Sequence, residues 1–476
     1  MVKGRFFMSA EILEKYTYTW PPFEPKENLH WEKSRPDSYV RNLRESPEDL
    51  QLDSRWPAFF PCSISFATTG DGSETAVEKV VGASIVNRFP YVIALSFCVS
   101  ELSKRHYARN RFIEILERNG TAAIQFFELG QNVDTILKAI QDIPDGRIDE
   151  RVGATGLPTR RAKTSEAPIF NDAYMVYEAR LVSASKDFSG APIYEETYTE
   201  FGSHRIYFLE IQAIQLREDI ARGASSIHWR ALPHWQPRKP DHVLRSVNWC
   251  ANKDGYRKGY TPNYVFPSPN TVAFEHDYVE NGMAVVRLPT TAEGQVEFDN
   301  DRARWPCFFP SSAGLITSWG KDNVPNLMPC GSTTVLVRSP LCIGIFVSYA
   351  DVNERYSRRA TLRALDDTGR FACGVPFDND KIVEAIKYAG NISIDKDIDK
   401  IHNSGLEYEE DEWAPILTDV PVTFMCKVVQ TLRLGTHIMY LGEVVSIRIR
   451  DDVTKENPLS WWPFPDVRKA RDHVLD

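Results

Sequence analysis

Short apolar, β-branched and aromatic runs separated by turn residues dominate the chain, and they fall into two sets of five. The first set covers residues 59–68, 91–99, 121–127, 174–182 and 205–216; the second covers 308–317, 341–349, 371–375, 422–432 and 438–449. Runs of this length between Gly, Pro, Asn and Asp predict β-strands. The last is the clearest, with Val445, Ile447 and Ile449 alternating against Ser446, Arg448 and Arg450 as a half-buried strand requires. Two segments in each set change period. Residues 109–118 and 359–367 precede the third strand, and 133–140 and 380–389 follow it, with Ile, Leu and Val at helical spacing. Strands with a few short helices and no βαβ alternation predict a mainly β architecture in which each set closes as a barrel. Residues 142–173 and 183–201 carry no sustained pattern and read as long loops.

The two sets are related in sequence. Arg55-Trp56-Pro57-Ala58-Phe59-Phe60-Pro61 returns 249 residues later as Arg304-Trp305-Pro306-Cys307-Phe308-Phe309-Pro310. Further landmarks follow in the same order. Ala83-Ser84 answers Gly331-Ser332, Arg88-Phe89-Pro90 answers Arg338-Ser339-Pro340, and Gly202-Ser203-His204 answers Gly435-Thr436-His437. Asp241-His242-Val243-Leu244 answers Asp472-His473-Val474-Leu475. A period this long exceeds solenoid repeats of about 20–50 residues, so the units are whole domains. The expected organisation is a wrapping segment over 1–52, a first barrel over 53–250, a linker or second wrap over 251–303, and a second barrel over 304–476.

Charge and cysteine usage narrow the function classes. With 56 Lys+Arg against 65 Asp+Glu the net charge is −9, which argues against a nucleic-acid surface. The eight cysteines contain no Cys-x-x-Cys pair and sit mostly in apolar runs, as small core residues of a reducing compartment do. No stretch approaches the roughly 18 apolar residues needed to span a bilayer, and the amino terminus lacks a signal-peptide pattern. The expected location is the cytoplasm. No phosphate-binding glycine loop, nucleophilic triad or zinc spacing is present. The tryptophans and the repeated Arg-Trp-Pro-x-Phe-Phe-Pro read as core and wrap anchors. His242 and His473 read as docking residues of each unit's tail, and residues 407–412 as a solvated acidic loop, with a lid as the functional alternative.

The second unit carries motifs with a resemblance. Asn323-Val324-Pro325-Asn326-Leu327-Met328-Pro329-Cys330-Gly331-Ser332, then Arg338-Ser339-Pro340-Leu341-Cys342-Ile343-Gly344-Ile345, Arg355-Tyr356-Ser357, and Gly435-Thr436-His437-Ile438-Met439-Tyr440-Leu441-Gly442-Glu443-Val444 together resemble the flavin reductase-like family of FMN-binding split barrels. The resemblance implies two tandem split β-barrels forming an intrachain pseudo-dimer, and an FMN-dependent oxidoreductase, with FAD as a variant cofactor and NAD(P)H as hydride donor. It places Asn326, Cys330, Gly331, Ser332 and Thr333 around the flavin. It also places Arg355, Tyr356 and Ser357 at its phosphate or ring edge, and His437 near the ring or nicotinamide as the catalytic candidate. A dianionic phosphate calls for hydroxyls, backbone N–H groups and an arginine, which these residue types supply.

The first unit departs from the pattern. Aligned by eye, Glu78-Lys79-Val80-Val81-Gly82-Ala83-Ser84 replaces Asn326 to Ser332, and Arg105-His106-Tyr107-Ala108-Arg109 replaces Glu354 to Arg358. A lysine then falls in the groove and a hydroxyl is lost, so the second unit holds the better site. Alternatives remain: a flavoenzyme for a dedicated small molecule, a scaffold that has lost flavin, or a barrel that holds haem or a metal through His106 or His437.

Overall fold

The computed structural model describes residues 62–99, 111–127, 131–182, 194–221, 276–289, 312–349, 359–376 and 379–450, apart from isolated positions within them, and the backbone of strands at 32–35, 38–42, 226–229, 231–232 and 245–248. Both Arg-Trp-Pro-x-Phe-Phe-Pro segments, residues 105–109, Arg355, Tyr356, Ser357, His242 and His473 lie outside the described residues.

In the second half, six antiparallel strands run in circular order: His437–Arg450, Leu341–Ser348, Pro325–Arg338, Ser312–Trp319, Arg370–Val375, Val422–Leu434 and back to His437–Arg450. Ile447 and Ile449 face the barrel core as their alternation predicts, but a bulge opposite Met425 and Cys426 shifts the register just before them. Val444 thus joins the core in place of Val445, which turns outward onto Ala372, Ala414 and Ile416.

The first half repeats this order. Gly82–Arg88 pairs with Tyr91–Cys98, then come His204–Arg217, Met175–Leu181, Thr121–Phe126, Ser65–Gly70 and Thr75–Val80. Helices Phe112–Asn119 and Gln131–Asp142 occupy the places of Thr361–Thr368 and Asp380–Asn391. The helix ends match as well. Gly120 and Gly369 both cap in the left-handed region, at φ 69° and 62°, where a side chain would cost strain.

The halves press against each other along a shared seam. A bulge falls between Ile85 and Asn87 in one half and between Val335 and Val337 in the other, and Val86 and Leu336 are both buried in one apolar cluster with Val92, Phe208, Phe346 and Leu441. Ser96 Oγ donates to the Leu336 carbonyl, and Gln430 Nε2 donates to Thr199 Oγ1 at 2.6 Å. Gly82 is required by this approach, because a Cβ there would lie 3.0 Å from the Val335 carbonyl oxygen and 3.1 Å from Ser96 Cβ.

Two hairpins cross the seam in opposite directions. Ser38–Asn42, in the amino-terminal segment, pairs with residues Ser446 to Arg450 of the second barrel. Met283–Arg287, in the segment between the barrels, pairs with Ala213 to Arg217 of the first. Counted from the histidines that open the two final strands, Arg217 and Arg450 are the same position, so both hairpins dock in one register. Each covers an edge that would otherwise present unpaired N–H and C=O groups.

Residues 142–173 are not a loop. They hold the short helix Glu150–Ala154 and the strand pair Thr159–Arg161 with Pro168–Phe170. The second half has the counterparts Lys400–Asn403 and Ile416–Leu417. Thr68 Oγ1 donates to the Pro168 carbonyl at 2.5 Å and Thr317 Oγ1 to the Pro415 carbonyl at 2.6 Å, pinning both segments across their barrels. Asn326 to Thr333 form an edge of the long strand Pro325–Arg338, despite its two prolines. The acidic segment 407–412 is tethered: Tyr408–Glu409 pairs with Ile416–Leu417, Trp319 Nε1 donates to the Asp411 carbonyl at 2.8 Å, and Arg448 lies 3.5 Å from Glu409.

Candidate functional site

Helices Thr361–Thr368, Asp380–Asn391 and Lys400–Asn403 all pack on the Pro325–Arg338 strand. Asn326 is buried, and its Nδ2 donates to Thr361 Oγ1 at 2.8 Å, tying the strand to the first residue of a helix. That helix has neither a side-chain cap nor an acidic residue in its first turn, so its amide dipoles are not neutralised from within. Arg359 stands two residues before it. Its backbone N–H donates to the Ser348 carbonyl at 3.1 Å, and its Nη1 to the Gly390 carbonyl at 3.2 Å, where a helix carboxyl end favours a cation.

Lys400 is the second cation. It is 5 % exposed, and among the described residues no hydrogen bond or ion pair reaches its ammonium. Burial, reinforced by the nearby Arg359 charge, lowers its pKa from 10.5 to about 7; Asp397 opposes the shift. Asp397 is engaged elsewhere, accepting from Tyr388 Oη at 2.8 Å and Asn403 Nδ2 at 2.9 Å. A buried ammonium with no bonded partner, beside a second positive charge, is costly unless an anion arrives.

Of the residues expected from sequence, the structure places Asn326, Cys330, Gly331, Ser332 and Thr333 along this strand. Asn326, Cys330 and Thr333 are buried, while Gly331 and Ser332 are half-buried. Thr333 Oγ1 donates to the Cys330 carbonyl at 3.1 Å, and burial pushes the Cys330 thiol upward, which leaves it a poor nucleophile. His437 pairs with Ser348 across the adjoining strands, one residue after Thr436, whose carbonyl accepts from Tyr349 N. Ser348 Oγ is buried with no hydrogen-bond partner. The sequence reading missed Arg359, Thr361 and Lys400. Arg359 and Thr361 follow closely on the expected 355–357 segment, and Lys400 closes the mixed-charge run Asp395-Lys396-Asp397-Ile398-Asp399-Lys400 ahead of the apolar Ile401, where nothing marks it as buried.

Ladder register corrects the alignment of the halves. Ser65 pairs with Val80 as Gly314 pairs with Cys330, and Arg88 pairs with Tyr91 as Arg338 pairs with Leu341. Ala76 therefore stands at the Asn326 position, Glu78 at Met328, Val80 at Cys330, Gly82 at Ser332, and Ser84 at Thr334. The groove lysine inferred by eye, Lys79, corresponds to Pro329. Counting back from the left-handed Gly156 and Gly405, Arg151 corresponds to Lys400. Arg151 is equally buried, but its guanidinium meets Glu78 at 2.9 Å and Asp145 at 2.7 Å. Burial raises the Glu78 carboxyl while Arg151 opposes the rise. In the first half, the chain's own carboxylates lie where the second half leaves a bare ammonium.

The donor set at Lys400, Arg359, Thr361 and Asn326 suits a compact dianion, and the buried Ser348 hydroxyl has a hydrogen bond to give. A flavin phosphate fits that chemistry. Among the described residues no group of three His, Cys, Asp or Glu could hold a metal ion, and no helix is long and apolar enough to cross a membrane.

The sequence profile of the family described as "Flavin reductase like domain" matches residues 307–464, so the carboxy-terminal part of the chain carries a flavin reductase-like domain. No curated protein matches the chain. Among solved structures the chain is similar to flavoredoxin of Desulfovibrio vulgaris (Miyazaki F), at 20 % identity and TM-score 0.27 over 34 % of this chain and 79 % of that one. It is also similar to nitrilotriacetate monooxygenase component B from Bacillus cereus, at 19 % identity and TM-score 0.29 over 34 % and 81 %. A flavoredoxin from Methanosarcina acetivorans shares 21 % identity, TM-score 0.27, over 34 % and 89 %.

Proposed function

We propose that the chain is an FMN-dependent oxidoreductase that takes hydride from NAD(P)H and binds one flavin, in the second barrel. The observation that carries this reading is that the buried Lys400, whose ammonium no hydrogen bond or ion pair reaches among the described residues, lies inside the stretch matching the flavin reductase-like profile, within the field of the Arg359 charge. Lys400, Arg359, Thr361 and Asn326 would hold the phosphate, whose charge is about −1.5 to −2 at neutral pH. Cys330 to Thr333 would line the ring, and His437 its edge; Arg355, Tyr356 and Ser357, which lie outside the described residues, are proposed as phosphate or ring-edge contacts. When bound, the flavin supplies the two-electron chemistry, and the protein's part is to bind, orient and exclude water.

The correspondence of element order, capping glycines and hairpin register supports a tandem duplication. The chain then builds internally the boundary that a homodimer would form from two copies. In the first half, Glu78 and Asp145 satisfy Arg151, which supports a single flavin per chain.

Titration of the purified chain with FMN tests the reading. The expected result is one equivalent bound, quenched flavin fluorescence and NAD(P)H oxidation with added FMN. A chain that binds no FMN, or one that binds it undiminished when Ser332→Tyr fills the strand edge, would overturn it.

A further inference from the structure

We propose that Asn87, in the first half, is a positioning residue that fixes the tautomer of His437 in the second. Three contacts link them. The Thr436 backbone N–H donates to Asn87 Oδ1 at 2.9 Å. An N–H can only donate, so this contact identifies the atom facing Thr436 as the amide oxygen rather than the nitrogen. Thr436 Oγ1 lies 2.7 Å from the same oxygen. Amide oxygen carries no proton, so the hydroxyl proton sits between them. Thr436 Oγ1 is also 2.8 Å from His437 Nδ1. Its single proton being committed to Asn87, the hydroxyl accepts there, and Nδ1 must carry the hydrogen. In the neutral ring, Nε2 then holds the lone pair.

The arrangement is built rather than incidental. Asn87 is 1 % exposed and Thr436 2 %, and a buried amide is costly unless bonded. It is also one-sided. By ladder register Val337 holds the Asn87 position of the second half, and valine has no amide oxygen to offer a hydroxyl. The first barrel has filled its own anion position with carboxylates yet orients a histidine in its neighbour. The inference rests on the proposed function only for what His437 touches.

The test uses flavin-free full-length chain with 15N-histidine, reading tautomers from long-range proton–nitrogen correlations, with His437→Gln assigning the signal among the ten histidines. The expected result is the Nδ1–H pattern in the parent chain. Asn87→Val frees the Thr436 hydroxyl to donate to Nδ1, so the pattern switches to Nε2–H. Asn87→Asp keeps the acceptor and retains the parent pattern. Thr436→Val keeps the backbone contact to Asn87 but removes the relay, so the Nδ1–H pattern is lost even if Asn87→Val folds poorly. A parent chain in the Nε2–H form, or a Thr436→Val chain with the parent pattern, overturns the proposal. The readout needs no flavin, so it fails or stands separately from the cofactor assignment.

Discussion

Lys400→Met separates the two things a buried ammonium does. Moving its pKa from 10.5 to about 7 corresponds to about 5 kcal/mol by the free energy of one pKa step. The sign follows from proton counts. Between those values the unfolded chain holds a proton that the folded one has lost, so stability rises with pH across the window, and the full penalty applies below about pH 7. At pH 7, half of the folded molecules are already deprotonated, which leaves about 4 kcal/mol as an upper bound before local relaxation. Methionine matches the stem and carries no charge. The unfolding midpoint of the flavin-free variant in urea should therefore rise at pH 7, and the gain should shrink towards pH 10. Flavin affinity should fall, because a charge-assisted hydrogen bond contributes about 1.5–3 kcal/mol, or about 10–150-fold in dissociation constant. Urea unfolding followed by circular dichroism and flavin fluorescence titration read the two effects. A variant less stable than the parent at pH 7 would mean that Lys400 is neutralised in the fold. Unchanged FMN affinity would remove it from the phosphate site.

Three further outcomes follow from the same charges and the same seam. At pH 8, FMN binding should take up nearly one proton per chain as Lys400 recharges beside the phosphate, read as a buffer-dependent enthalpy in calorimetry; zero uptake contradicts the assignment, since an arginine or a carboxylate such as Asp397 does not take up a proton there. Replacing both Glu78 and Asp145 by Gln should uncover Arg151 and create weak binding of inorganic phosphate at a second site, whereas a count unchanged in phosphate titration refutes the correspondence of Arg151 with Lys400. Deleting residues 1–45 should strip the Ser446 to Arg450 edge and cause concentration-dependent association in ultracentrifugation; a monomeric chain would show that this edge needs no cover.

What the sequence revealed depended on which physical signal each residue carries. Alternation is a property of single strands, so residues 91–99, 121–127, 174–182 and 205–216 were legible to within one or two positions, as were their second-half equivalents. Pro325–Arg338 was not legible as a strand, because Pro325, Pro329 and Gly331 break local propensity and its neighbours on both sides supply the pairing. Val445 defied its alternation because a bulge is set by the partner strand. The halves were misaligned by two residues in the site strand, a slip that preserves the face and hence leaves no trace in hydrophobic pattern. The candidate residues Asn326 to Thr333 were singled out through motif order. Lys400 was not, since a cation between polar and apolar residues looks the same whether solvated or buried, and only the packing of three helices on one strand reveals that it is desolvated.

The division of labour between the halves follows from where divergence is tolerated. The seam constrains both barrels alike: Val86 and Leu336 sit on matching bulges, a side chain at Gly82 would press on the Val335 carbonyl, and each exchanged hairpin completes the opposite sheet. A change there damages two barrels at once. The anion position has no such coupling, because Arg151 and Lys400 each lie within their own barrel. In the first barrel Glu78 and Asp145 neutralise the buried Arg151, so that position is held by a satisfied ion-pair network. The second barrel instead bears the cost of burying Lys400 without a bonded partner. A chain whose two halves differ in this way bears the cost of a buried, unpaired cation once, whereas a homodimer of the second half would bear it twice.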